Sequence, residues 1–297
     1  LVNVHATALN RADLLQRMGR YPPPPGTRAD IPGLEFAGEV SAIGKEVTKF
    51  KIGDRIMGLL AGAGYAEKVV THQDLALPIP ANLDYPQAAA IPEVFLTAYD
   101  ALFNRLQLKT AESVLIHAVG SGVGSAALQL AKSQQAIVFG TAGSEIKLAK
   151  ARELGLDFGI HYPTQNFEEI VLSETGGRGV AAILDVVGAA YWEKNLACLA
   201  TKGKLVIVGL LSGGSVPVDL RTLMTKRLQI IGTVLRARPL AEKIQLSQKF
   251  QQSFLPLFES GQLTPVVDRR FPLREAAEAH RYLETNQNFG KVVLEVS

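Results

Sequence analysis

The apolar stretch Ser113 to His117 runs directly into Ala118-Val119-Gly120-Ser121-Gly122-Val123-Gly124, and Gly122 to Ser133 then reads as a helix rich in Ala and Leu. Strand, glycine turn and helix in that order can hold a pyrophosphate. The glycines let the backbone bend tightly and approach the anion, and the free N–H groups at the helix start bind it. The spacing departs from the usual dinucleotide fingerprint, because Val119 and Ser121 stand where Gly is common. A purely structural tight turn is therefore the competing explanation.

The next strand speaks to which nucleotide is bound. NAD sites commonly place Asp or Glu at its tip to bind the ribose hydroxyls. Here the strand ends Thr141-Ala142-Gly143-Ser144, with Lys147 one helical turn on. A small residue, a hydroxyl and a cation suit the 2′-phosphate of NADPH. Glu145 is the objection, since a slightly shifted turn would present it; its bland role is a favourable acid in the first turn of a helix. Lys147 has a bland reading too, as a solvated helix lysine.

Other chemistries lack their residues. One cysteine, Cys198, and five scattered histidines cannot build the ligand sets of a catalytic or structural zinc site. Cys198 reads as a small buried hydrophobe, and no disulfide within the chain is possible. His117, inside an apolar strand, reads as structural, and no serine elbow or carboxylate pair is identifiable. Without a metal to polarise an alcohol, reduction of an electron-poor acceptor by a nicotinamide is better supported than alcohol oxidation.

These residues need a scaffold, and the patterning supplies one. From Ser113 onward, apolar strands alternate with helices: strands at 113–117, 136–141, 180–186, 204–208 and 228–234, with helices at 122–133, 145–154, 167–175 and 191–199. Such an alternation predicts an α/β fold with a doubly wound parallel six-stranded sheet. The first third is β-rich, with alternating runs at 38–44 and 66–70 and a loop at Pro22 to Pro25, and suggests a small antiparallel barrel. A helical pattern covers 86–102; two more, at 241–260 and 273–285, precede a last strand at 291–296. With 47% hydrophobic residues and a net charge of +3, the chain can build a large core without metals or disulfides, and no basic stripe suggests nucleic acid. The least charged stretch, 113–131, is read as strand, turn and helix and not as a membrane span. The start at Leu1 without Met suggests a fragment, and any address ahead of it lies outside the sequence.

From end to end the chain resembles the zinc-free quinone oxidoreductases of the medium-chain dehydrogenase/reductase superfamily, most of all the tumour-suppressor-inducible NADPH quinone oxidoreductase subgroup. The resemblance rests on Ala8-Leu9-Asn10-Arg11-Ala12-Asp13-Leu14, Tyr21 before the proline run, Gly33-Leu34-Glu35, Ala89-Ala90-Ile91-Pro92-Glu93, Leu96-Thr97-Ala98, Ser121-Gly122-Val123-Gly124, Tyr191-Trp192-Glu193-Lys194-Asn195, Leu235-Arg236-Ala237-Arg238 and Gly290-Lys291-Val292-Val293-Leu294. Leu34 falls where a zinc relative would have a histidine ligand. The resemblance implies a β-rich GroES-like catalytic domain over 1–94 and 238–297 and a Rossmann dinucleotide-binding domain over 95–237. It implies that Thr97, Ser121, Gly122, Val123 and Gly124 touch the nicotinamide side and the pyrophosphate. Gly143, Ser144, Lys147 and Tyr162 would surround the adenosine and its 2′-phosphate, and Gly188, Gly209, Leu210, Leu235 and Arg236 would line the nicotinamide end. Asn10 and Tyr21 would face the acceptor in a cleft between the domains; their bland readings are a turn-forming asparagine and a surface tyrosine. A homodimer through the nucleotide domain and a cytoplasmic setting complete the implied picture.

The expected activity is metal-free, NADPH-dependent reduction of quinones. Two alternatives stand beside it: reduction of activated carbon–carbon double bonds in enals or enones, and a non-catalytic NADPH-binding or RNA-binding protein.

Overall fold

The computed structural model describes residues 1–296, which form two compact units: 1–97 with 235–296, and 98–234. In chain order the elements are β1 (Val2–Ala8), α1 (Arg11–Arg17), β2 (Glu35–Val40), β3 (Arg55–Leu59), β4 (Lys68–Val69), β5 (Ala76–Pro78), α2 (Tyr85–Ala89) and α3 (Pro92–Tyr99). Next come β6 (Ser113–Ile116), α4 (Gly122–Ser133), β7 (Ile137–Ala142), α5 (Glu145–Glu153), β8 (Phe158–His161), α6 (Phe167–Glu174), β9 (Val180–Asp185), α7 (Trp192–Cys198), β10 (Leu199–Ile207), α8 (Leu220–Lys226) and β11 (Gln229–Gly232). The chain ends with α9 (Leu240–Glu259), β12 (Val267–Pro272), α10 (Ala276–Glu284) and β13 (Lys291–Glu295).

The unit over 98–234 carries the six-stranded parallel sheet that the alternation predicts, in the order β11-β10-β9-β6-β7-β8. Its sixth strand, β8, is short and partly exposed, so no continuous apolar run advertises it. The order reverses between β9 and β6, and the carboxyl ends of the strands around that point are where such sheets bind ligands. Leu115, Phe139, Ile183 and Leu205 form the sheet core, and Phe139 stacks on Phe158 with centroids 4.5 Å apart. Burying each such side chain contributes roughly 1.5–3 kcal/mol.

The other unit is built on a seven-stranded sheet, β12-β13-β1-β2-β3-β5, with β4 paired to β1. It is mixed, not purely antiparallel as the β-rich patterning suggests: β12 and β13 run parallel. The alternating run at 38–44 begins its strand earlier, at Glu35, and leaves the sheet after Val40. A Cβ at Gly38 would lie 2.1 Å from the Asn3 carbonyl oxygen, so only glycine lets β2 approach β1 there. The helical pattern at 86–102 divides in two because Pro92 cannot donate to a continuing helix. Residues Asp100–Arg105 then wind as a π-helix. Among the described residues, no helix is long and apolar enough to cross a membrane.

Candidate active site

In the unit over 98–234 the glycine turn leaves the carboxyl end of β6. Ala118 adopts φ 51° and Ser121 caps α4, its hydroxyl accepting the Gly124 N–H at 3.0 Å. The two departures from the fingerprint thereby acquire roles. Ser121 is the N-cap, and the fully buried Val119 fills space left by Gly140 of β7, where a Cβ would sit 2.9 Å from the Val119 Cβ. Gly124 has no such latitude, since a Cβ there would fall 2.2 Å from the Ala118 carbonyl oxygen. Helix and strand can close together only over a glycine, which leaves the first amides of α4, those of Gly122 and Val123, free of intrahelical acceptors at the turn.

At the ends of β7 and β8 the structure gathers Gly143, Ser144, Lys147 and Tyr162. Ser144 caps α5, accepting the Lys147 N–H at 3.4 Å. The exposed Tyr162 closes on Gly143 so tightly that a Cβ there would lie 2.9 Å from its hydroxyl. Glu145 sits in the first turn of α5 with its carboxylate 3.7 Å from His161 Nδ1. Gly188, Gly209 and Leu210 also come together. Gly188 takes φ +86°, where a Cβ would lie 2.7 Å from the Gly213 carbonyl oxygen and 3.1 Å from Leu210. The hydrogen bonds Ser212 N–H to Val187 O (2.8 Å) and Ala189 N–H to Gly213 O (3.0 Å) join the loops after β9 and β10.

A buried polar chain, which the sequence did not reveal, ties these loops together. Ala118 N–H donates to Thr141 Oγ1 (3.2 Å), and Thr141 Oγ1 lies 3.1 Å from His117 Nδ1. His117 Nε2 is 2.7 Å from Asn195 Oδ1, and Asn195 Nδ2 donates to Asp185 Oδ2 (3.0 Å). Asp185 Oδ1 accepts the Val187 N–H at 2.6 Å, and the carboxylate also accepts the Gly188 N–H. Because Asn195 Nδ2 faces the carboxylate, its oxygen accepts, so His117 Nε2 carries a proton, which both the neutral Nε2-H tautomer and the imidazolium satisfy. Burial, the main cause, lowers the His117 pKa and so favours the neutral ring. The Asn195 signal was present in the Tyr191–Asn195 motif, but only the fold shows what it touches.

The unit formed by residues 1–97 and 235–297 holds the remaining candidates around a buried ion pair. Lys291 Nζ donates to Glu35 Oε1 (2.8 Å), Asn10 Oδ1 (2.6 Å) and the Leu9 carbonyl (2.7 Å). Asn10 Nδ2 donates to Glu35 Oε1 (2.9 Å) and to the Ala8 carbonyl (3.3 Å), so both of its N–H bonds are spent inside the protein. Glu35 Oε2 accepts the Glu93 N–H at 2.7 Å. Asp13 accepts the N–H groups of Asn10 (2.7 Å) and Gly33 (2.9 Å), and burial pushes its carboxyl up to about 6.

Arg236 is buried within this unit. It donates to the carbonyls of Ala61 (2.7 Å) and Tyr21 (3.2 Å) and to Gln16 Oε1 (2.6 Å), and its guanidinium lies 5.1 Å from the Tyr21 ring centroid. Tyr21 is half-buried, its hydroxyl hydrogen-bonds to no described residue, and burial raises its pKa. Leu235 is buried, and Thr97 is half-exposed in α3. Cys198 is fully buried, its thiol pushed up to about 12 by burial, as its reading as a small hydrophobe anticipates.

Sequence comparisons bear on this geometry. Residues 1–81 match the alcohol dehydrogenase GroES-like domain family, and residues 122–259 match the zinc-binding dehydrogenase family. A quinone oxidoreductase of Pseudomonas aeruginosa is 35% identical over 99% of this chain and 90% of its own length. The chain belongs to the quinone oxidoreductase family. Three solved structures of the same superfamily align closely. One described as an NAD-dependent alcohol dehydrogenase has TM-score 0.88 and 34% identity, covering 100% of this chain and 91% of its own. The CurK enoyl reductase has TM-score 0.86 and 28% identity, covering 100% and 90%. A mycobacterial protein complexed with NADPH has TM-score 0.86 and 29% identity, covering 99% and 90%. This quinone oxidoreductase family member is thus an oxidoreductase with a nicotinamide-binding fold.

Proposed function

We propose that the protein reduces quinones with electrons from NADPH and without a metal. The observation that carries this is the cluster at the carboxyl edge of the parallel sheet: a helix N-terminus exposed over a glycine turn, with Ser144, Lys147 and Tyr162 at the next strand end. The residues fit the cofactor. The amides of Gly122 and Val123 hold the pyrophosphate, and Gly143 lets the Tyr162 hydroxyl close on the end of β7, where any larger residue would collide with it. Ser144 and Lys147 bind the 2′-phosphate, while Gly188, Gly209 and Leu210 flank the nicotinamide. When bound, NADPH supplies the hydride.

Tyr21 stacks on or donates to the flat acceptor. Asn10, with its N–H bonds committed, supports the acceptor site by fixing Lys291 and Glu35. Metal independence follows from the donors present, with one cysteine in the chain and the buried Leu34 beside Glu35.

Purified protein mixed with NADPH and an ortho-naphthoquinone is expected to oxidise the nucleotide and yield the quinol. Failure with every quinone tried would overturn the reading. The likeness to an enoyl reductase favours one alternative, reduction of an activated carbon–carbon double bond. Deuterium from labelled NADPH appearing on product carbon would select it. We further propose a cytoplasmic homodimer. The sheet ends at β11, and Leu220 and Met224 of α8 are largely exposed nearby in sequence, as an unpaired edge and apolar patch awaiting a partner would be. Light scattering should give twice the chain mass; a monomer at micromolar concentration would contradict this.

A further inference from the structure

The buried polar chain at the carboxyl edge of the parallel sheet has a fixed direction. Thr141 Oγ1 accepts the Ala118 N–H, so its own proton is free for His117 Nδ1, 3.1 Å away. His117 Nε2 donates to Asn195 Oδ1, and Asn195 Nδ2 donates to Asp185. None of the four residues is more than 2% exposed, so a lost partner leaves a polar group unsatisfied in the interior. Asp185 of β9 is the charged group that acts on His117, and the rings of Phe167 of α6 and Tyr191 ahead of α7 pack against its imidazole, with centroids 4.9 Å and 4.7 Å away.

Asp185 is where the chain meets the loops. Its carboxylate accepts N–H groups from Asn195, Val187 and Gly188, and among the described residues it forms no ion pair. Its backbone carbonyl accepts the Val208 N–H at 2.8 Å. The Ser212 hydroxyl donates to the Val187 carbonyl (2.8 Å) and accepts the Ala190 N–H (2.9 Å). The loop after β9 thereby fixes the loop after β10, which carries Gly209 and Leu210. The Val187 and Gly188 donors belong to the β9 loop itself. Asn195 brings in a separate element, α7, and through His117 and Thr141 it brings in the glycine turn and the end of β7.

We propose that Asn195 is a positioning residue of the nucleotide site: through Asp185 it sets the loop after β9 against the glycine turn, and with it the span from the nicotinamide flank at Gly188 to the pyrophosphate amides of α4. This rests on the assignment of those groups to NADPH. A neutral His117 fits the role, because Thr141 can then give its hydroxyl proton to Nδ1 while still accepting from Ala118, and burial favours that form. The 2′-phosphate end takes no part in the chain, since Ser144 caps α5 through its own bond from the Lys147 N–H. Loss of Asn195 therefore acts on one end of the dinucleotide and spares the other.

The test uses the full chain, calorimetric titration and two probes: NADPH, and adenosine 2′,5′-bisphosphate, which has the 2′-phosphate end and no nicotinamide. Asn195→Leu keeps the side-chain volume and removes both the donor to Asp185 and the acceptor of His117. It should weaken NADPH about 10-fold and the bisphosphate less than about 2-fold, the scale of one lost hydrogen bond to a charged group. Asn195→Asp is the second variant, close in shape. Its carboxylate would stand where Asn195 Nδ2 lies 3.0 Å from Asp185 Oδ2, and two facing carboxylates favour a charged His117 ring. It should show the same split between the probes. Ring-nitrogen NMR should find His117 neutral with its proton on Nε2 in the wild type, and an imidazolium in Asn195→Asp. If both probes weaken alike in both variants, or neither weakens, Asn195 does not position the nicotinamide end and the proposal is wrong. A wild-type ring protonated on Nδ1 alone would reverse the chain and overturn it as well. If the wild type binds neither probe, the nucleotide-site reading itself fails, a result distinct from the others.

Discussion

Replacing Lys291 by Met should cost about 3–5 kcal/mol of stability, more than any surface change in this protein. The Lys291 side chain is 4% exposed and that of Glu35 is 0% exposed, so the pair is fully withdrawn from water. Methionine approximates the length of the lysine stem but removes the one cation that, among the described residues, is hydrogen-bonded to Glu35. The carboxylate keeps the Asn10 and Glu93 N–H donors and remains otherwise uncompensated in the interior. Asn10 Oδ1 and the Leu9 carbonyl lose their donor in the same step. Urea unfolding should show the loss as a lower midpoint. A loss under about 1 kcal/mol would mean that the ion pair is replaceable by packing and does not organise this part of the fold.

The second large effect concerns nucleotide choice. Ser144→Asp should shift the ratio of kcat/KM values from NADPH toward NADH by roughly 100-fold, about 2.7 kcal/mol. Aspartate caps a helix as well as serine does, so α5 and its bond from the Lys147 N–H should survive. What changes is charge. A carboxylate beside Gly143 repels the 2′-phosphate and can accept from a free ribose hydroxyl. Steady-state kinetics with both nucleotides decides it, and an unchanged ratio would remove Ser144 from the phosphate site.

The parallel sheet was legible because its strands are apolar on both faces and its helices carry their own signals. α4 begins and ends where the pattern says, at Gly122 and Ser133, with Ser121 as its cap. β8 was not, because its four residues are only partly buried and lack the apolar run that marks the central strands. In the other unit, β1, β3 and β5 escaped notice. β1 begins at the second residue, and β5 contains only Ala76–Pro78; pairing, not local pattern, makes them strands.

The site divides in the same way. Residues that act through backbone geometry, such as Gly124 and Gly143, announce themselves by type. Those that act through long-range partners do not. Lys291 and Glu35 are 256 positions apart, and His117 and Asn195 are 78 apart, so no local spacing could join them. Asn10 illustrates the limit, since its amide is free on paper but in the structure is already satisfied by Glu35, Ala8 and Lys291.

A crystal structure of the protein grown with NADPH is the most direct measurement of the central claim. The pyrophosphate is expected against the Gly122 and Val123 amides at the start of α4, and the 2′-phosphate between Ser144 and Lys147. Nucleotide density elsewhere, with that turn empty or filled by side chains, would contradict it.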